Sequence, residues 1–185
     1  MRLVVAMTGA SGAIYGKRLL EVLGDKNIET HLVISRTADR IIEHELNLKR
    51  KDVENLASNV YEPDDWDSRI VSGSFKTDGM VIVPCSMKTL AGIANGYSDN
   101  VILRAADVML KEKRKLILVP RETPLNVVHL QNMLELAMQG VLIVAAMPAY
   151  YHKPKSIGDV VDFVVGKVLD LLGIEHMLYK GWHEI

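Results

Sequence analysis

The sequence predicts an α/β fold: a three-layer, doubly wound and mostly parallel sheet. Three observations carry that expectation. Residues 3–7, 79–84 and 115–120 are short runs, almost wholly apolar, as strands buried on both faces are. Segments of helical periodicity stand between such runs, and this alternation is the pattern of a parallel sheet covered by helices. The core is aliphatic, with 49% hydrophobic residues and only 5% aromatic ones.

The elements follow in order. Residues 3–7 form a strand, and residues 12–24 a helix with Leu19, Leu20 and Leu23 on one side. Residues 30–34 are the second strand and 37–46 the second helix. The polar stretch 49–59 reads as a short helix, and 62–67 as an acidic surface loop. Strand 79–84 leads into Ser86-Met87-Lys88-Thr89, which opens a helix. Helix 99–113 and strand 115–120 follow. Thr123-Pro124 reads as a helix start, Thr as cap and Pro at the first position. That helix runs to about Gln139 and stops at Gly140. Residues 141–145 are a strand. Ser156 with Asp159 is a capping box, and apolar positions 157, 160, 161, 164, 168, 171 and 172 keep the helical period beyond it. With 185 residues, no repeat and no linker, one domain is expected, spanning 1–185, with a tail from about 173 to 185 in subunit contacts.

Composition narrows the functions. A net charge of −1 gives no basic face for nucleic acid. No apolar run approaches the roughly 18 residues that span a bilayer. Met1 leads into a core strand, leaving no room for a signal peptide, so a cytoplasmic location is expected. One cysteine allows no internal disulfide, and the six histidines lack metal-ligand spacing.

In doubly wound sheets, ligands sit at the carboxyl ends of the strands. Those ends are Thr8-Gly9-Ala10-Ser11-Gly12, Ser35-Arg36, Cys85 to Thr89, Arg121-Glu122-Thr123 and Pro148 to Lys153. The set is rich in hydroxyls and short of carboxylates, which suits phosphates and carbonyl-bearing rings better than a divalent metal. The first strand, its small-residue turn and the following helix have the layout of a phosphate-binding unit. A dinucleotide site fits poorly. Gly16 comes one residue late for the fingerprint, and the second strand ends in Ser35-Arg36 where a ribose-binding acid is wanted. Tyr151 and Lys155 copy a dehydrogenase spacing, but Pro154 between them forbids the helix that pair needs.

Each candidate has an ordinary reading beside the functional one. Ser11 and Ser35 suit ligand contact, and Ser35 also suits a helix cap, as does Ser86. Arg104 interrupts an apolar helix and needs a partner, either Asp107 or a ligand phosphate. Lys111 lies two turns on, within a basic cluster. Arg121 and Glu122 follow an apolar strand as a structural ion pair or as working groups. Cys85 reads as a small hydrophobe, and Trp182 as a packing anchor or a ligand wall.

Six blocks taken together resemble the UbiX-type flavin prenyltransferases along essentially the whole chain. They are Thr8 to Gly12, Ser72-Gly73-Ser74-Phe75, Pro84 to Ala94, Arg104-Ala105-Ala106-Asp107, Pro120-Arg121-Glu122-Thr123-Pro124-Leu125 and Pro148-Ala149-Tyr150-Tyr151. The Ser-Met-Lys-Thr and Arg-Glu-Thr-Pro-Leu blocks are the specific ones. The resemblance implies a flavodoxin-like or Rossmann-like fold that binds FMN and assembles as a homododecamer of trimers. It implies an enzyme that needs no metal and joins a dimethylallyl group to N5 and C6 of reduced FMN, making a cofactor for a partner UbiD-type decarboxylase.

By position, the resemblance puts Gly9, Ala10, Ser11, Ser35, Ser86, Met87, Lys88, Thr89 and Arg121 on FMN. Tyr151 and Lys167, with Arg104 and Lys111, hold dimethylallyl phosphate, and Trp182 lines the pocket. Glu122 and Ser11 are the acid/base groups, with Glu45 near them. Position 167 is often arginine in such proteins; lysine keeps the charge and loses the bidentate fork. The residue inventory suits this chemistry, since cations and the Tyr151 hydroxyl stabilise a leaving phosphate and Glu122 can accept a proton. The active site is expected between subunits. Two other readings are a cysteine decarboxylase of the same fold, whose Pro-x-Met-Asn block is replaced here by Pro120-Arg121-Glu122-Thr123, and a flavin carrier without turnover. Direct decarboxylation of aromatic acids finds no support, because none of these groups depends on such a carboxylate.

Overall fold

The computed structural model describes residues 1–182. Six strands form one parallel sheet: β1 Arg2–Met7, β2 Glu29–Ile34, β3 Asn59–Tyr61, β4 Gly79–Cys85, β5 Lys115–Pro120 and β6 Leu142–Ile143. Their spatial order is β3-β2-β1-β4-β5-β6. Seven α-helices connect and cover them: α1 Ala13–Asp25, α2 Arg36–Leu46, α3 Arg50–Glu54, α4 Met87–Ala94, α5 Val101–Lys111, α6 Val127–Met138 and α7 Ile157–Leu172. The expected doubly wound, three-layer arrangement is the one observed.

The layers follow from the two-residue period of the strands. Leu3, Val5 and Met7 face the layer of α1, α2, α3 and α7, where Leu19, Leu20, Leu23, Val164 and Leu169 fill the core. Val4, Ala6, Met80 and Ile82 face α4, α5 and α6, against Leu90, Ile102, Leu103 and Val108. Cys85 is fully buried in this second core, and burial pushes its thiol far above its ordinary pKa, so it is the small hydrophobe the sequence suggests. Strand order reverses between β1 and β4, which pair side by side. That reversal opens a crevice at the carboxyl edge.

Several boundaries differ from the sequence reading. The stretch 49–59 holds only the short α3, and its last residue begins the edge strand β3. The helix expected at Thr123-Pro124 begins at Val127. Thr123 Oγ1 donates to the Glu122 carbonyl, so it does not cap, whereas Asn126 Oδ1 accepts from His129 N at 2.9 Å. Asn100 takes the same role for α5, accepting from Leu103 N at 3.0 Å. The strand expected over 141–145 is paired only at Leu142 and Ile143. The capping box of α7 forms as read: Ser156 Oγ accepts from Asp159 N at 3.1 Å, and Asp159 Oδ2 accepts from Ser156 N at 3.2 Å. Residues 151–155 form no helix, so Tyr151 and Lys155 are not a dehydrogenase pair. Within the tail, residues 183–185 lie outside the described residues. No helix among the described residues is long and apolar enough to cross a membrane.

Candidate functional site

Thr8 ties the two sides of the crevice together. It is 1% exposed, and its Oγ1 donates to the Pro84 carbonyl at 2.9 Å while accepting from Ser86 N at 2.8 Å. The end of β1 and the start of α4 are therefore held as one piece. A cavity of about 360 Å³ opens there, between Thr8 and Gly9 of β1's turn, Ser35 and Thr37 after β2, Ser86 to Thr89, and Glu122. Gly9 has no room for a side chain: a Cβ would lie 2.7 Å from Thr37 Cγ2. The backbone of β1's turn therefore packs directly on Thr37, in a wall lined by hydroxyls.

The serines do two jobs at once. Ser35 Oγ accepts from Ala38 N at 3.1 Å, and Ser86 Oγ accepts from Thr89 N at 3.3 Å, so each caps its helix. Both also line the cavity, and the ordinary and functional readings hold together. Asn100, which caps α5, and Ile102 in its first turn complete the wall. Neither they nor Thr37 were singled out from the sequence. Thr37 was within reach, because it lies two residues past Ser35 at a strand end.

The β1–α1 turn is closed by a distant side chain. Gly12 is left-handed at φ 109°, and its side-chain-free position cannot cap α1. Glu45, from the last turn of α2, does so: its carboxylate accepts from Gly12 N at 2.9 Å and from Ala13 N at 2.9 Å. Burial would raise the Glu45 carboxyl, but the Ser11 hydroxyl, these two N–H groups and the nearby Arg121 hold it below its ordinary value. Arg121 Nε donates to the Ser11 carbonyl at 3.2 Å. Glu122 turns the other way, into the cavity, and accepts from Thr123 N at 3.2 Å. The two neighbours are thus not an ion pair with each other. Ser11, Gly12, Glu45 and Arg121 form one contiguous group beside the cavity.

The cationic residues are elsewhere in the chain. Arg104 Nη1 donates to Asp107 at 2.6 Å, its ordinary partner, and Nε to the Val71 carbonyl at 3.2 Å. Lys111 pairs with Glu112. Both sit on α5. Lys167, on α7 across the sheet, donates to Asp170 at 2.8 Å and to the Tyr179 hydroxyl at 3.2 Å. The Asp170 hydrogen bond is the main reason its ammonium is held above its ordinary pKa. Tyr151 belongs to α7's side as well, edge-on to Phe163 and Trp182 at ring separations of 5.9 and 5.3 Å. One copy of the chain therefore does not gather Arg104, Lys111, Lys167 and Tyr151 into a single site. The sequence also gave no notice of His152, stacked on Phe163 at 5.4 Å with both ring nitrogens buried and unbonded among the described residues.

Comparison with known proteins agrees with this geometry. The flavoprotein family model matches residues 1–169. A flavin prenyltransferase UbiX of Methanocaldococcus jannaschii is 53% identical over 182 residues, which is 98% of each chain. Two solved structures are similar throughout. One is described as a dodecameric FMN-dependent UbiX-like decarboxylase from Escherichia coli O157:H7. It has a TM-score of 0.96 at 52% identity, over 98% of this chain and 99% of that one. The other, AnUbiX in complex with FMN and dimethylallyl pyrophosphate, has a TM-score of 0.96 at 48% identity, over 98% and 96%.

Proposed function

The chain belongs to the flavoprotein family and, within it, to the UbiX flavin prenyltransferases, and from that premise we propose that it transfers a dimethylallyl group from dimethylallyl phosphate to N5 and C6 of reduced FMN. The observation that carries the reading is the hydroxyl-lined cavity at the sheet's switch point, with Glu122 in its wall. The fit to FMN is good: Gly9 packs closely on Thr37 in the cavity wall, and Ser35 at the start of α2 and Ser86 and Thr89 at the start of α4 offer hydroxyls beside helix N-termini.

Reduced FMN supplies the nucleophilic N5 and C6. The protein's part is to bind, neutralise and move protons. Ser86 to Thr89 and Ser35 hold the flavin phosphate. Gly9, Ala10, Ser11 and Arg121 bound the ring side of the site. Glu122 is the base for the C6 proton, and Ser11 with Glu45 forms a second proton path beside it. Lys111, Arg104, Lys167 and the Tyr151 hydroxyl neutralise the departing phosphate. Trp182 and Tyr151 give the allylic group an aromatic, water-poor wall.

Because the cations lie on opposite layers of one chain, the complete site is an interface between copies, in a homo-oligomer such as a dodecamer. The surface supports assembly. On α6, Val127, Leu130, Leu134 and Met138 are 67, 52, 60 and 68% exposed, and Tyr150 and Met147 nearby are similarly open. Such an apolar helix face wants a partner. The modified flavin then passes to a UbiD-type decarboxylase in the cytoplasm. The test is a coupled assay, in which an apo UbiD-type decarboxylase is mixed with the protein, reduced FMN and dimethylallyl phosphate. Decarboxylase activity that appears only with all components supports the proposal; activity with FMN alone, or none at all, contradicts it.

A further inference from the structure

The N-termini of α2, α4 and α5 border the cavity, and the first two put hydroxyls from Ser35, Thr37, Ser86 and Thr89 into it. That of α1 is already filled by the Glu45 carboxylate, which accepts from Gly12 N at 2.9 and 3.2 Å and from Ala13 N at 2.9 Å. In doubly wound sheets the α1 N-terminus is where the pyrophosphate of a dinucleotide sits. A carboxylate there uses the same N–H groups that phosphate oxygens would use, and it puts a negative charge where theirs would come.

We propose that Glu45 is a specificity-determining residue: it closes the α1 N-terminus with an internal anion, so that the nucleotide phosphate goes to the cavity bordered by the starts of α2 and α4 and the site takes FMN while rejecting dinucleotides such as FAD. The inference rests on the flavin-binding reading above and deepens it. Three features support it. Glu45 belongs to α2, so folding delivers the carboxylate without a ligand's loss of translational freedom, and a free phosphate competes poorly with it. Its carboxyl is held below the ordinary value by Ser11, Gly12, Ala13 and Arg121 despite partial burial, so the charge persists at neutral pH. The second strand ends in Ser35-Arg36, with no acid for an adenosine ribose. The turn keeps the backbone of a dinucleotide site and is shut by one side chain.

The full-length protein is titrated calorimetrically with FMN, FAD and ADP at one fixed salt concentration. The wild type is expected to bind FMN and to bind FAD at least about a hundredfold more weakly. Glu45→Ala is expected to gain about tenfold or more in affinity for FAD and ADP, the scale of freed charge-assisted donors. Glu45→Gln keeps the side-chain volume and one acceptor, and is expected to gain less. It serves as the second variant if the alanine form is unstable, since it removes the charge with little change of shape. Wild-type FAD affinity equal to that for FMN, or folded variants with unchanged FAD and ADP affinity, overturns the proposal. Failure of the wild type to bind FMN sinks the flavin reading instead. The ADP arm then still decides the role of Glu45, since a gain in the variants upholds it and no gain overturns it.

Discussion

Replacing Thr8 separates hydrogen bonding from volume at the hinge of the site. Thr8→Val keeps the shape and removes the hydroxyl. Pro84 O still accepts from Thr8 N at 3.1 Å, so one side stays satisfied. The Ser86 N–H, bonded to Thr8 Oγ1 at 2.8 Å, loses that acceptor in a crowded, partly buried place. An unmet donor of this kind costs about 1–3 kcal/mol, so the expected loss is about 2 kcal/mol. Thr8→Ser keeps both hydrogen bonds and deletes one buried methyl, at about 1 kcal/mol. At this chain length 2 kcal/mol is a fall of about 4–8 °C in Tm. Urea and thermal unfolding of both variants, at one protein concentration, give the comparison, with FMN affinity as second readout because α4's start is loosened in the valine form. Serine costing more than valine would refute the reasoning, since volume would then outweigh the hydrogen bonds.

Other outcomes follow from the same geometry. Glu122→Gln is expected to leave FMN affinity within about threefold and to slow prenylation by about 10²–10⁴, the usual share of a general base; loss of FMN binding in a titration would show the role assignment to be wrong. Gly16→Ala puts a Cβ 2.6 Å from the Val83 carbonyl and is expected to cost about 1–3 kcal/mol in denaturant unfolding. Burial lowers His31 below its ordinary 6.5 more than Glu29 raises it, so the unfolded chain takes up the proton first and stability falls as pH drops below 6.5. Glu45 has the opposite origin and the same sign. Its carboxyl is depressed from 4.5, so its contribution is full above that pH and is lost as pH falls through the folded value; Glu45→Gln should flatten that acid limb in pH-dependent unfolding.

Much of the fold was legible because strands buried on both faces are written as unbroken aliphatic runs. The edge strand β3 was not, since Asn59, Val60 and Tyr61 are half-exposed and adjoin a polar helix. The start of α6 was misplaced because Thr123-Pro124 imitates a helix start, while the acceptor that serves one is Asn126. In the site, the rule of strand ends led directly to Ser35, Ser86, Thr89 and Glu122 around one cavity. It could not reach Glu45, which arrives from the far end of α2 and came to notice only through the family resemblance. Nor could it arrange Arg104, Lys111 and Lys167, whose partners within one chain are Asp107, Glu112 and Asp170. The convergence proposed for them depends on contacts between copies, which leave no periodic trace in a sequence.

The central claim is that this protein makes new bonds on its flavin. Stoichiometric protein is incubated anaerobically with FMN, reductant and dimethylallyl phosphate, and the released flavin is analysed by mass and by NMR at N5 and C6. The account requires a flavin heavier by one C5H8 unit and bonded at both positions, with one inorganic phosphate freed per turnover. Unmodified FMN under conditions where it is demonstrably bound would contradict it.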